Sequence, residues 1–468
     1  MLRVKVQKKR SHDFRREERY VRVEGQILAA YKIPPVRYSI VLPDTGSPVL
    51  VVEEPGPEDE DQARRLREIM AGLEEPRNEV EKYYAMKAKS GYGPIYPLMR
   101  DPHIEEIALS GPSRKIAVMH KLVPSRWIES NVRMTEEEID GLAMQLARKA
   151  GRMLSIASPY AEGLTLDGYR ISVTMSKEVS RFGSSFVVRK YPEKPLTIGD
   201  LIASRVLSPL MGAYLWILVE SQAFLVIIGN MGAGKTSVLQ SLAGLIPPYN
   251  RVITIEDTPE LSLLNEYWDS LVTRPKPPGE EIEEISLEDL IRFALRRRAE
   301  YVIVGEVRGR ETRLLAQAAA SGHGSMTTFH ADSPEGAILR LSLDPINLPP
   351  LFLKLVTAFA HVRRIPVYGG KAKRRIVSIT EVVGDDLLEV FKWDPHLDSF
   401  APKEPGEVVD ASVKLREAWE RLGVPHHDLA RELGERAEVL EKLAGAEPEK
   451  VYEAVRGFYL SRYGVPRP

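Results

Sequence analysis

The stretch Phe224-Leu-Val-Ile-Ile-Gly-Asn-Met-Gly-Ala-Gly-Lys-Thr-Ser237 decides how the rest of the chain reads. Its first five residues, Phe224–Ile228, are apolar and predict a fully buried strand. Gly229, four further residues, Gly234, Lys235 and Thr236 follow without a gap, and Ser237–Ile246 reads as helix. Strand, glycine-rich turn and helix in that order form a phosphate-binding P-loop, which predicts a bound nucleoside triphosphate. Gly229, Gly232 and Gly234, with Ala233 among them, let backbone N–H groups turn inward around phosphate oxygens. Lys235 is expected to reach the β and γ phosphates. The Thr236 hydroxyl is expected to ligate Mg²⁺, with Ser237 beside it, and the new helix points its positive end at the charge.

Working outward, apolar runs recur at Val252–Ile255, Tyr301–Val304 and Ser325–Phe329. Helical patterns separate them at Thr236–Ile246, Leu287–Arg298 and Glu311–Ala320. Buried strands with helical crossovers predict an α/β domain with a doubly wound, mostly parallel sheet. Ligands of such sheets sit at the carboxyl ends of the strands, where the chemical motifs of this chain also fall.

Glu256 follows the second of these strands. A carboxylate there can orient or deprotonate a water attacking the γ phosphate. Asp257 and Glu260 read as caps of the turn around Pro259. Glu306 ends the run Tyr301-Val-Ile-Val-Gly-Glu306, a Walker B pattern with Glu in place of the commoner Asp. A carboxylate at that tip holds Mg²⁺ directly or through water. Arg308 is expected to pair with either a carboxylate or a phosphate. His323 and His330 bracket the fourth strand, seven residues apart, a spacing unlike a helical metal pair. His330 emerges at the carboxyl end, placed to donate to the γ phosphate or to hold a catalytic carboxylate. For His323 the reading stands open between a nucleotide contact and a packed side chain.

Five segments are expected: a small unit over 1–85, an α+β domain over 86–190, a linker over 191–199, a P-loop α/β domain over 200–400, and a helical region over 401–468. The basic residues of 1–20 read as a solvated tail rather than a docking arm. In the α+β domain, Asp101–Leu109, Lys115–His120, Tyr169–Met175 and Ser185–Arg189 carry strands. Thr135 with Glu138 forms a capping box, and Asp167-Gly168 a hairpin turn.

Composition sets the outer limits. A chain of 468 residues is too long for one core. A net charge of −1 gives no global pull towards nucleic acid. There is no cysteine, which excludes disulfides, thiolate catalysis and cysteine zinc sites. Abundant Glu, Arg and Pro with scarce Asn and Gln is a heat-adapted style of composition. No signal peptide is visible, and the longest apolar stretch, Leu210–Ile228, is broken by Glu220, Ser221 and Gln222. The chain is therefore expected in the cytoplasm, with any membrane contact made through partners.

Gly229–Thr236, Ile255–Glu260, Val304–Arg308 and Ser321–His330 together resemble the Walker A, Asp, Walker B and His boxes of the secretion ATPase superfamily. That group drives type II secretion, type IV pili, archaeal flagella and type IV transport. The resemblance spans about residues 90–395, and its style is most similar to archaeal type II/IV secretion members. Two departures stand out. Arg296-Arg297-Arg298-Ala299-Glu300 replaces the usual Arg-x-Arg-Pro-Asp, and the four-cysteine zinc insertion of many bacterial members is missing. The resemblance implies a RecA-like core, ATP and Mg²⁺ as cofactors, a homo-oligomer (a hexamer) and a membrane platform protein as partner. It also implies that Arg170 and Arg189 reach the nucleotide, with Arg181 a weaker candidate. The function so implied is an ATPase motor for filament assembly or secretion. The alternative is a nucleic-acid motor, a helicase or DNA-transfer ATPase, which requires a basic, aromatic pore. A slow nucleotide-gated regulator is disfavoured by the presence of both Glu256 and Glu306, and a small-molecule kinase by the lack of an acceptor lid.

Overall fold

The computed structural model describes residues 20–462 other than 22, 45, 113, 124–126, 191–193, 275, 277–282, 368–371 and 424–427. The basic tail and the start of the expected linker lie outside the described residues, as does the end of the expected helical region. The chain divides into two compact units, Met1–Pro192 and Glu193–Pro468.

The first unit is built on one nine-stranded sheet. Its strands are β1 (Gln26–Ile33), β2 (Val36–Leu42), β3 (Val49–Glu53), β4 (Ile104–Leu109), β5 (Ala117–His120), β6 (Trp127–Ser130), β7 (Tyr160–Leu164), β8 (Arg170–Thr174) and β9 (Ser185–Arg189). They lie in the order β1-β2-β3-β6-β5-β4-β9-β8-β7. All neighbours are antiparallel except β3 and β6. The expected boundary at 85/86 is therefore not a boundary between cores. Strands β1–β3 extend the later sheet, and Tyr38, Ile40 and Leu50 share one core with Ile107, Val118 and Leu146. Two helices follow β3, Glu60–Met70 and Glu79–Ser90. They are separated at Gly72, whose φ of 75° suits a residue without a side chain. The Thr135–Glu138 capping box is present and opens helix Glu136–Lys149.

The second unit holds a second nine-stranded sheet. Its strands are β10 (Phe224–Ile228), β11 (Val252–Glu256), β12 (Trp268–Val272), β13 (Tyr301–Glu306), β14 (Gly324–Phe329), β15 (Ala358–Ile365), β16 (Lys373–Val383), β17 (Asp386–Asp394) and β18 (Ser399–Ala401). The order is β12-β11-β13-β14-β10-β15-β16-β17-β18. From β12 to β15 every pairing is parallel, and from β15 onward every pairing is antiparallel. All five side chains of β10 are buried, and they alternate between two cores. Leu225 and Ile227 enter one, while Phe224, Val226 and Ile228 enter the other. A central strand that feeds cores on both faces is what the uniform apolar run encodes. The parallel half is the expected doubly wound sheet, and the antiparallel half adds to it.

The expected linker ends earlier than 199, because Thr197 caps a helix, Ile198–Ala203, with its own capping box. The expected separate helical region over 401–468 is helical but shares the core of the sheet. Helices Pro405–Ala411, Val413–Arg421, Leu429–Lys442 and Pro448–Arg462 pack with helix Pro209–Glu220 through Trp216, Trp419, Leu433 and Tyr459. The Trp216 indole N–H donates to the Tyr459 hydroxyl at 2.8 Å, which donates to the Leu245 carbonyl at 3.0 Å. Arg436, buried, is paired with Glu220 and with Glu432, the latter at 2.7 Å from its Nε.

Candidate active site

The site is assembled at the carboxyl ends of β10, β14, β13 and β11. Strand β10 runs into a loop whose glycines take conformations that side chains oppose. Gly232 and Gly234 have φ of 72° and 99°, and Gly234 sits in the left-handed region as cap of helix Lys235–Ala243. Gly229 has no room for a side chain, because a Cβ there would stand 2.3 Å from the Val362 carbonyl oxygen on β15. These two constraints explain why the loop needs glycine. The result is a helix N-terminus with its first N–H groups free to face an anion.

Lys235 is 7% exposed and lies folded into this loop. Its Nζ is 3.4 Å from the Asn230 carbonyl and 3.2 Å from His330 Nδ1. Burial pushes the Lys235 ammonium below its ordinary range, and the Glu306 carboxylate works against that. His330 stands just beyond β14 and places Nε2 2.8 Å from Glu306 Oε1. Burial and then the Lys235 charge hold the imidazole below its ordinary value, with the Glu306 carboxylate acting against them. The Arg340 guanidinium fixes the His330 carbonyl.

Glu306 ends β13. Its Oε2 accepts from Arg308 Nη2 at 2.6 Å, which settles the open choice for Arg308: its partner here is a carboxylate. That hydrogen bond raises the guanidinium further. Oε1 is buried and has no aligned hydrogen bond despite the closeness of His330. The Arg308 and Gly309 N–H groups both donate to Glu311 Oε1, at 2.5 and 2.7 Å, which fixes the turn after β13.

Glu256 ends β11, beside β13. Its side chain is 3% exposed and turns onto its own loop, where Oε1 accepts from the Glu260 and Leu261 N–H groups at 2.9 and 3.1 Å. The turn-capping role read for Glu260 and Asp257 is thus carried by Glu256 itself, although Asp257 also accepts from Thr273 at 3.1 Å. Burial pushes the Glu256 carboxyl up to about 7, with the two backbone N–H groups opposing. Gly305 is required beside it, since a Cβ there would lie 2.9 Å from Glu256 Cγ.

The structure brings Lys235, His330 and Glu306 together and places Thr236 in the first helical turn after the loop. It does not bring His323 to them. His323 precedes β14, at the amino end of a strand parallel to β10, and its Nδ1 lies 3.1 Å from the Ala318 carbonyl. The nucleotide-contact reading for His323 is therefore corrected to a cap on the end of helix Glu311–Ala320. Glu260, read as a cap, lies within electrostatic reach of Lys235 and raises its affinity for the proton.

In the first unit, Arg170 and Arg189 stand directly opposite each other across β8 and β9. Glu106 on β4 is the next residue of that row. Arg189 Nε is 3.5 Å from Glu106 Oε1. Arg170 has no hydrogen bond or ion pair from its side chain among the described residues. Arg181 lies over the Phe182 ring, 5.8 Å from its centroid.

Fold and site together define a P-loop nucleotide-binding protein of the α/β class. Residues 163–347 match the model of the family described as Type II/IV secretion system protein. An uncharacterized protein of Methanocaldococcus jannaschii is 33% identical over 394 residues, which is 81% of this chain and 69% of the relative. A second one from that organism is 40% identical over 256 residues, 53% of this chain and 92% of the relative. The type IV secretion system protein PtlH of Bordetella pertussis is 35% identical over 131 residues, 28% of this chain and 39% of its own. Among solved structures, the VirB11 ATPase of the Brucella suis type IV secretion system is similar at 25% identity and a TM-score of 0.31, covering 63% of this chain and 97% of that one. The Legionella pneumophila ATPase DotB is similar at 15% identity and a TM-score of 0.44, covering 78% of this chain and 93% of that one. The chain belongs to the type II/IV secretion system protein family.

Proposed function

We propose that this chain is an ATPase motor that hydrolyses ATP to ADP and phosphate and drives a type II/IV secretion or pilus-type machine as a homo-oligomeric ring, a hexamer. The observation that carries this reading is Lys235, His330 and Glu306 held together over a P-loop at the carboxyl ends of neighbouring strands. Thr236 and Glu306 would hold Mg²⁺. Their fit rests on the buried Glu306 Oε1, a carboxylate oxygen with no aligned partner, which suits an ion or its water. When bound, the ion would supply positive charge that neutralises the phosphate oxygens. Lys235 binds the β and γ phosphates, and His330 keeps Glu306 directed at the site. Glu256 takes the proton of the attacking water as its oxygen bonds to the γ phosphorus and the bond to the bridging oxygen breaks. A carboxyl with its affinity raised to about 7 is matched to that task at neutral pH.

Arg170 and Arg189 stabilise the γ-phosphate charge in a site shared between subunits. A guanidinium offers a planar donor fork that stabilises charge spread over the γ oxygens. Closing and releasing those arginines turns hydrolysis into domain motion, passed to a membrane platform protein. Among the described residues no helix is long and apolar enough to cross a membrane, so the proposed membrane contact runs through that partner, from the cytoplasm.

The test is molar mass by light scattering, with and without a non-hydrolysable ATP analogue, beside ATPase rate against protein concentration. The reading expects a hexamer whose specific activity rises on assembly and vanishes in Lys235→Ala. A fully active monomer at every concentration would overturn the ring and the shared site.

A further inference from the structure

The β15–β16 hairpin forms a wall of the phosphate loop that no motif announced. Strand β15 runs parallel to β10 with His361 beside Ile228, so Val362–Ile365 continue past the end of β10 alongside the loop. The contact is close at Gly229, against Val362, and again at Gly234. A Cβ at Gly234 would lie 3.0 Å from Arg374 Cδ and 3.4 Å from Arg374 Nε.

The charges on this hairpin divide by face. Arg375 is 3% exposed and forks onto Asp398, with Nε and Nη2 at 2.8 and 2.9 Å from its two oxygens. Lys373 takes the same carboxylate at 2.9 Å. Asp398 is thereby consumed. Arg374, between them in sequence, points to the other face and is exposed. Among the described residues its guanidinium has neither an ion pair nor a hydrogen bond. Arg364 sits directly opposite it on β15, so two like charges share one rung beside the loop.

We propose that Arg374 is a further nucleotide-binding residue, supplied by the same subunit as the P-loop, whose planar fork holds the nucleoside half of the nucleotide, the α-phosphate and base. The sheet order sets which half it meets. Glu306 on β13 and Arg374 on β16 each lie two strands from β10, on opposite sides, about 10 Å away in each direction at the usual strand spacing. Lys235, His330 and Glu306 mark the γ end, so Arg374 faces the other end. A guanidinium suits that position because it stacks on a planar ring and donates to phosphate oxygens together.

This inference rests on the nucleotide-binding reading above, and one experiment separates the two. Calorimetric titration of the full chain with ADP and with a non-hydrolysable ATP analogue, both with Mg²⁺, is run on the wild type, Lys235→Ala, Arg374→Ala and Arg374→Lys. Arg374→Ala is expected to weaken both ligands equally, by about tenfold, the size of one charge-assisted contact. Arg374→Lys is expected to stay weak, since an ammonium lacks the fork. Wild-type affinity in Arg374→Ala, full recovery in Arg374→Lys, or a loss confined to the ATP analogue would each overturn the role of Arg374. Failure of the wild type to bind either ligand would instead overturn the nucleotide-binding reading itself.

Discussion

His330 Nε2 stands 2.8 Å from Glu306 Oε1, and the same imidazole lies 3.2 Å from the Lys235 ammonium through Nδ1. Lys235 Nζ is also 3.3 Å from Nε2, so the ammonium lies against both ring nitrogens while Nε2 abuts the Glu306 carboxylate. The imidazole therefore fills the space beside both the P-loop lysine and the carboxylate at the tip of β13. Without it the two attract directly, and Lys235 is drawn off the phosphates.

Replacing His330 by Ala is therefore expected to lower kcat at saturating ATP and Mg²⁺ by about tenfold to a hundredfold, the range of a lost partner to a metal-binding carboxylate. Steady-state phosphate release measures it. A variant that turns over at the wild-type rate would remove His330 from the mechanism.

Glu256 gives two pH dependences of opposite sign. Its folded-state affinity is raised from 4.5 to about 7 by burial, so between those values the folded chain binds the proton that the unfolded chain has lost. The stability from this group is complete below the unfolded value and is lost as pH rises to about 7. The loss is on the order of 3 kcal/mol. Activity moves the other way, because only the ionised form takes a proton, so the rate should climb as pH rises through about 7. Glu256→Gln is expected to flatten the fall of the urea midpoint between pH 5 and 7 and to remove hydrolysis by about 10²–10⁴. A variant with an unchanged stability profile would show that Glu256 is ionised throughout.

The parts of this site that could be read from residues alone are those in which one short run carries both the strand and its chemistry. Phe224–Thr236, Val252–Glu256 and Tyr301–Glu306 are such runs, since an apolar strand must end at the sheet edge that its polar tip then occupies. Side-chain direction was not legible: nothing in Ile255-Glu256-Asp257 shows that Glu256 folds onto the Glu260 and Leu261 N–H groups. Non-local pairing was not legible either. Strands β1–β3 join the rest of their sheet through Val49 and Leu50 opposite Glu129 and Ser130, some eighty residues apart in the chain, so the first 85 residues read as a separate unit. The β15–β18 half of the second sheet escaped because bulges at His361/Val362 and Ile379/Thr380 break its alternation. Its charges also misled. Glu381 looks like a surface residue yet is fully buried, accepting from Tyr214 and from the Val413 and Lys414 N–H groups. Ser412 both ends one helix and caps the next, a boundary that no glycine or proline marks in the sequence.

The C-terminal helices are held by charge as well as by packing. Arg436 is buried between Glu220 and Glu432, and its guanidinium lies 5.0 Å from the Trp216 ring centroid. Arg436→Met keeps the volume but leaves two carboxylates without that partner. It is expected to cost about 3–5 kcal/mol in urea unfolding. Adding Glu220→Gln should recover part of that cost, because the uncompensated charge, rather than a lost contact, is what destabilises. An additive double variant would mean that the loss comes from packing alone.

Arg170 and Lys235 belong to different compact units, which makes a mixing experiment decisive for the shared site. Arg170→Ala is expected to lower turnover by about 10³, as removal of a γ-phosphate arginine does, while nucleotide binding persists. Lys235→Ala is expected to be inactive because it cannot hold the phosphates. If Arg170 serves the nucleotide of a neighbouring subunit, the two inactive proteins complement when mixed and reassembled. Some sites then take Lys235 from an Arg170→Ala subunit and Arg170 from a Lys235→Ala subunit. Recovery of ATPase activity on mixing, rising with total protein as rings form, is the expected outcome. If Arg170 serves the nucleotide of its own subunit, no arrangement of the two variants completes a site, and the mixture stays as inactive as its components.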